Sequence, residues 1–279
     1  MAVKGHFIFL RARRGRFFAA RIDNFGENVV SYFHPERHTG VPMQIQTKKF
    51  AGLTGNQLKL LALFAMTCDH VGLQLLPQFI LLRIIGRLAA PLFACMIAEG
   101  CRYTHDRRRY LGRLLGMAAL CQIAYFVAMR SLYQCIFVTF SLSVCLIYAL
   151  DNALRRRTPA SVLMAAAALA AAAFITEGLP QILIHTDFDV DYGLWGVMLP
   201  VLVYLGRGKW GKLALFAVGV SLLGLHYGAV QWWGLLSVPL LALYNGQKGR
   251  RNIGPLFYWY YPAHLVVIYG LSLLLAHAG

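Results

Sequence analysis

Residues 79–100 read FILLRIIGRLAAPLFACMIAEG. As a helix rising about 1.5 Å per residue, the run would cross the roughly 30 Å hydrocarbon layer of a bilayer. Two arginines, Arg83 and Arg87, lie inside it. Charge at that depth is expensive, so the run is either no span at all or a span with chemistry in it. The rest of the chain decides. Apolar runs of similar length recur at 57–76, 111–129, 132–150, 160–176, 193–206, 213–228, 230–245 and 256–275. Over 279 residues, 58% are apolar and 14% charged, with a mean hydropathy of +0.56. An average soluble domain carries about 25% charged residues. This chain has too few to clothe a water-exposed core of its size. The reading is an all-α polytopic transmembrane bundle of about nine helices. Intrinsic disorder is excluded for most of the chain. A disulfide-stapled fold is excluded as well, because Cys68, Cys95, Cys101, Cys121, Cys135 and Cys145 fall in apolar runs without framework spacing.

Residues 1–50 differ from the rest. They are basic, with scattered aromatics and no run of membrane length, and Arg interrupts the short FIFL run that a signal peptide would have to extend. The segment reads as a basic cytoplasmic tail without fixed structure, followed by the transmembrane domain at 51–279. Two other readings stand beside it: RARRGRFFAAR lying on an anionic membrane surface, and translation starting at Met43.

The formal net charge of +16 is a topological signal. Twenty-four of the 27 Lys and Arg fall before residue 60 or in the breaks 101–113, 151–159, 207–212 and 246–254. The alternate breaks are nearly free of them, and 177–192 carries Glu177, Asp187, Asp189 and Asp191 instead. The positive-inside rule then places the N-terminus in the cytoplasm and the C-terminus outside. The excess needs no nucleic acid as partner; membrane lipids are the expected surroundings.

Ionisable residues inside spans are functional candidates by default. They are Asp69 and His70 in the first span, Arg83, Arg87 and Glu99 in the second, and His264 in the ninth. By helical rise, Asp69 and Arg87 sit roughly 18 Å into their spans and His264 roughly 12 Å, so four groups converge near mid-membrane. Asn56, Thr67, His70 and Gln74 share one helix face, with Asp69 turned about 100° from it. Asp69 is therefore expected to pair with Arg87 rather than orient His70. Arg83 is expected at the interface, and Glu99 to pair with Arg113. Pro91 is expected to bend its helix and free a carbonyl.

A histidine beside a charge pair suits general-base chemistry near neutral pH. The break CRYTHDRRRYLGR at 101–113 offers arginines to a phosphorylated cytoplasmic donor, or merely enforces topology. There is no Walker loop, no GxGxxG and no HExxH helix, so no metal is expected.

Five blocks resemble the TraX family of membrane proteins associated with acetylation of the conjugative pilin subunit. They are LTGNQLKLLALFAMTCDH (53–70), IIGRLAAPLFACMIAEG (84–100), YLGRLL (110–115), DYGLWGVMLP (191–200) and LFYWYYPAHL (256–265). The resemblance runs from about Leu53 to Tyr269 and implies a multi-pass protein of the bacterial inner membrane. It further implies an acyltransferase that moves an acetyl group from cytoplasmic acetyl-CoA to the N-terminus of a pilin subunit. Asp69, His70, Arg87, Glu99, Arg113 and His264 match the family's characteristic polar positions. On that basis the expected catalytic residues are His70, Asp69, Arg87 and His264. Those expected to bind acetyl-CoA are Glu99, Arg102, Arg109 and Arg113. Acetylation of an envelope glycan or lipid, a proton-coupled transporter and a non-enzymatic assembly protein are the competing functions.

Overall fold

A computed structural model describes residues 6–11, 17–22, 31–32, 52–249 and 253–278. The chain divides into two compact units, Met1–Ala51 and Gly52–Gly279. In the first, read above as a tail, the described residues form a small antiparallel sheet. Strands β1 (His6–Arg11) and β2 (Phe17–Ile22) pair with His6 opposite Ile22, and β3 (Ser31–Tyr32) adds to β2 with Tyr32 opposite Ala20. Met43 lies outside the described residues.

The second unit is mainly helical, and nine helical stretches among its described residues coincide with the nine expected spans. Helix α1 (Gly55–Gln74) starts where the sequence TGNQ permits a capping box. Thr54 Oγ1 accepts the Gln57 backbone N–H, and Gln57 Oε1 accepts the Thr54 N–H at 2.8 Å, satisfying two donors the helix start would leave bare. The next span is split into α2 (Ile80–Gly86) and α3 (Ala89–Tyr103). The break falls at Arg87 and Leu88, about one turn before Pro91, where the proline ring crowds the preceding turn and supplies no N–H.

Helices α4 (Arg107–Met129) and α5 (Ile136–Arg156) follow. Then α6 (Pro159–Ala173) runs through a π-turn at Phe174–Gly178 into α7 (Leu179–Ile182). The bundle continues with α8 (Gly193–Leu205), α9 (Gly208–Tyr227), a 3-10 segment at Ala229–Leu236 with α10 (Ser237–Ala242), and α11 (Gly254–Ala278). Six of these stretches are long and apolar enough to cross a membrane: 80–103, 107–129, 136–156, 159–182, 208–227 and 256–275.

The short helix α8 is central rather than marginal. Val197, Leu199, Val201 and Val203 are at most 2% exposed, and α8 packs on α3, α5 and α9. A helix apolar all round belongs in the middle of a bundle. Outward-facing apolar residues cover the rim instead: Ile123, Val127, Leu163, Leu225, Trp259 and Leu274 are all more than 60% exposed. A soluble protein could not present that surface, and a lipid-embedded one must. Each end of the bundle is tied by a short backbone bridge. Leu53 pairs with Tyr244 at one end, and Gln134 with Val190 at the other.

Glycine placement makes the α1–α2 contact possible. A Cβ on Gly86 would strike the Asp69 side chain, and one on Gly72 would press on Leu82 at 2.8 Å. Gly116 on α4 meets nothing within 4 Å. Gly86→Val should therefore destabilise the protein by about 1–3 kcal/mol through overpacking. Gly116→Ala should be neutral, or stabilising by about 0.5–1 kcal/mol through helix propensity. Unfolding midpoints of both variants in one detergent check the contrast.

Candidate functional site

The second half of α1 carries Asp69 and His70 on neighbouring faces. Asp69 faces α2, where both arginines of the opening sequence converge on it. Arg87 Nη2 donates to both Asp69 oxygens, and Arg83 Nη1 stands 2.9 Å from Oδ1. Arg87 Nη1 donates to Gln231 Oε1 at 2.9 Å. Arg87 Nε is buried and has no hydrogen-bond partner among the described residues. The expected Asp69–Arg87 pair is present. Arg83, expected at the interface, is instead the third member of the cluster, because the Gly86–Asp69 approach draws α2 against α1.

His70 faces α11. Its Nδ1 lies 2.7 Å from His264 Nε2, and the rings are stacked at 4.9 Å. His264 Nδ1 lies 2.9 Å from the Tyr260 carbonyl, which can only accept, so His264 carries its proton on Nδ1. His264 Nε2 must then accept, and His70 must donate from Nδ1. The remaining nitrogen, His70 Nε2, is left with a lone pair. Geometry thus selects a tautomer in which His70 is a base. Tyr260 stacks on the other face of His264 at 5.2 Å, and its hydroxyl lies 2.7 Å from Thr67 Oγ1. Tyr261 stands edge-on to both imidazoles.

Asp69, His70, Arg83, Arg87 and Tyr261 border a polar cavity of about 640 Å³, which also takes in Tyr133, Asp189, Asp191 and Gln231. Two loops close its end. Gln134 N–H donates to Asp189 O at 2.7 Å, and Asp191 N–H to Gln134 O at 3.0 Å. The Leu132 N–H donates to the Asp187 carboxylate, the Tyr133 hydroxyl to Asp191 Oδ1 at 2.9 Å, and Thr139 Oγ1 to Asp191 O at 2.6 Å. Burial pushes the Asp191 carboxyl up to about 6, against the Tyr133 hydrogen bond and the Arg87 charge, which lower it. Searching only within the spans passes over these loop acids. The signals that would find them are the DYGLW block and the acidic break 177–192.

A second, apolar pocket of about 180 Å³ begins at Lys59 and Gly254, near the starts of α1 and α11. It runs past Phe93, Met96 and Phe257 to Met66 and Tyr261. Tyr261 lines both spaces and stands edge-on to the histidine pair, of which His70 lines the polar cavity.

The residues expected to hold acetyl-CoA are not gathered in one place. Glu99 and Arg102 share a cleft of about 600 Å³ with Lys209 and Lys212. Glu99 pairs with Lys212 at 2.6 Å, not with Arg113. Arg102 donates to the Tyr204 carbonyl at 2.6 Å. Arg109 faces Asp106 at the surface, and Arg113 is exposed on α4. Glu99 and Arg113 are separated because α3 turns Glu99 toward α9, a rotation that proximity in sequence does not reveal.

The architecture is that of a multi-pass membrane protein with a paired-histidine centre inside the bundle. The sequence profile described as TraX protein matches residues 54–272. The chain belongs to the TraX family. It is 29% identical over 230 residues to the probable fimbrial assembly protein FimC, serogroup H1, of Dichelobacter nodosus, covering 76% of this chain and 93% of that one. It is 46% identical over 54 residues to the uncharacterized protein RP591 of Rickettsia prowazekii (strain Madrid E), covering 19% of this chain and 21% of that one. No solved structure matches the chain.

Asp191 yields a pH prediction. Its folded pKa of about 6 lies above the ordinary 3.8, so the folded state holds more protons between those values. Stability contributed by this group is full below the ordinary value and falls as pH rises through the folded one. Asp191→Asn keeps an acceptor for Tyr133 and removes the titration. Its unfolding midpoint should match wild type near pH 4 and exceed it increasingly up to pH 7.

Proposed function

We propose that this protein is a membrane acetyltransferase that moves an acetyl group from cytoplasmic acetyl-CoA to an amine acceptor, the N-terminus of a pilin subunit. One observation carries the reading. Tyr261 lines both an apolar pocket from one end of the bundle and a polar cavity from the other, and edge-on to it a histidine held as a base lines the second. A thioester on a flexible arm suits the first space, and a polar nucleophile the second. The Lys/Arg bias supports placing the Lys59 end in the cytoplasm of a bacterial inner membrane. The name of the fimbrial relative supports a pilin acceptor.

In this mechanism the acceptor nitrogen attacks the acetyl carbonyl carbon, and His70 Nε2 takes a proton from that nitrogen. The carbon–sulfur bond then breaks, and the proton passes to the leaving thiolate as CoA departs. His264 steadies the charge on the His70 ring through the 2.7 Å contact. The arginines held by Asp69 stabilise the developing oxyanion.

Free CoA release with a peptide bearing an N-terminal amine tests the reading in detergent. His70→Ala should lower the rate by about 10²–10⁴-fold, the usual scale for losing a general base, with the unfolding midpoint retained. His264→Ala should lower it less, since the base itself remains. Wild-type turnover in His70→Ala would remove His70 from the mechanism. Absence of CoA release in folded wild-type protein, with that peptide present, would remove the acetyltransferase reading.

A further inference from the structure

The polar cavity has a side as well as an end. Between α4 and α11 lies an apolar groove of about 310 Å³. Cys121, Ala124 and Ala128 of α4 form one wall, and Pro262, Leu265 and Val266 of α11 the other. Val127 and Val266 on the flanking helices are 71% and 67% exposed, so the groove faces the bilayer. Gln74, Tyr125, Tyr133 and Leu265 line both the groove and the cavity. Four side chains are thus shared between the lipid-facing space and the space that contains His70.

The charge inside the cavity is uneven. Arg83 and Arg87 are both engaged by Asp69. Asp189 and Asp191 face the same space with no cation partner among the described residues; Asp191 accepts from Tyr133, and Asp189 from the Val190 N–H. A positive group brought into the cavity would find two carboxylates free of ion pairs.

We infer that the α4–α11 groove docks the acceptor, an apolar polypeptide segment within the membrane, whose terminal ammonium passes the shared side chains to reach Asp189 and Asp191 in the cavity that His70 lines. The inference rests on the acetyl-transfer reading and adds the route and the recognition site. Ala124 and Ala128 are small, exposed and one turn apart, which lets a helical segment approach α4 closely. A peptide terminus brings a net positive charge to Asp189 and Asp191, whereas an amine-bearing phospholipid brings its own phosphate with the amine and so no net positive charge.

The test uses the whole protein in phosphatidylcholine vesicles with two probes. One is a peptide with a free N-terminal amine followed by about 20 apolar residues, enough to span. The other is a short water-soluble peptide with the same first residues. Ala124→Trp and Ala128→Trp fill the groove; Leu163→Trp, on the exposed face of α6, is the control. The groove variants should lower transfer to the membrane peptide at least about tenfold, a loss equivalent to roughly 1.4 kcal/mol, and leave transfer to the short peptide unchanged. Equal loss with both probes, or loss with neither, would overturn the inference.

A photo-crosslinking residue at position 128 gives a readout independent of turnover. Crosslinking to the membrane peptide, competed by unlabelled peptide, upholds the groove even if wild-type protein transfers no acetyl group. In that case only the acetyl-transfer reading falls. Crosslinking to lipid alone overturns the peptide assignment.

Discussion

A carboxylate inside a membrane helix must be paired, and much of the bundle's irregularity follows from how Asp69 meets that demand. Asp69 sits about one and a half turns before the end of α1, where lipid gives no solvation. Two arginines reach it from α2, and Gly86 leaves room for the approach. The second span breaks at Arg87 and Leu88, and Gln231 of the 3-10 segment reaches Arg87 from across the bundle. Departures from straight spans thus gather around one charged centre. Apolar replacements for such a cluster are often as stable or more so, so stability alone is a weak reason to keep it. The donors around Asp69 open onto the cavity that holds His70, which supplies a chemical reason.

The histidine pair extends the same logic to protons. A backbone carbonyl can only accept a hydrogen bond, so the Tyr260 carbonyl sets the tautomer of His264, and His264 sets that of His70. The direction of the relay is fixed by a group that never titrates. Tyr261, edge-on to both imidazoles, lines an apolar pocket and a polar cavity together. The loop acids at the cavity's far end are held by backbone bridges between 130–135 and 183–192. Their placement therefore does not depend on α1 or α11.

Much of this was legible in the chain. Nine apolar runs located nine helical stretches, since membrane length and hydropathy act locally and along one dimension. Asp69 and Arg87 were paired from depth alone, and Pro91 announced the break in its span. The shared face of Thr67, His70 and Gln74 is the face that meets α11 and the cavity. The partner of Glu99 was misjudged for one reason. Depth places a residue along a helix axis but says nothing of its azimuth, and azimuth decides whether Glu99 meets Arg113 or Lys212. The loop acids were read only as part of the charge pattern, because the cost of burying charge was applied only within spans.

By itself the sequence determined that the chain is a helical membrane protein, where its spans fall, and which ionisable residues lie within them. Composition and period suffice for that, because the bilayer imposes the same requirement on every segment. Tertiary structure alone decided that Arg83 joins Asp69, that His264 is the partner that orients His70, and that Asp191 enters the same cavity from a loop. Those outcomes depend on helix rotation and on contacts between separate elements, which only packing settles.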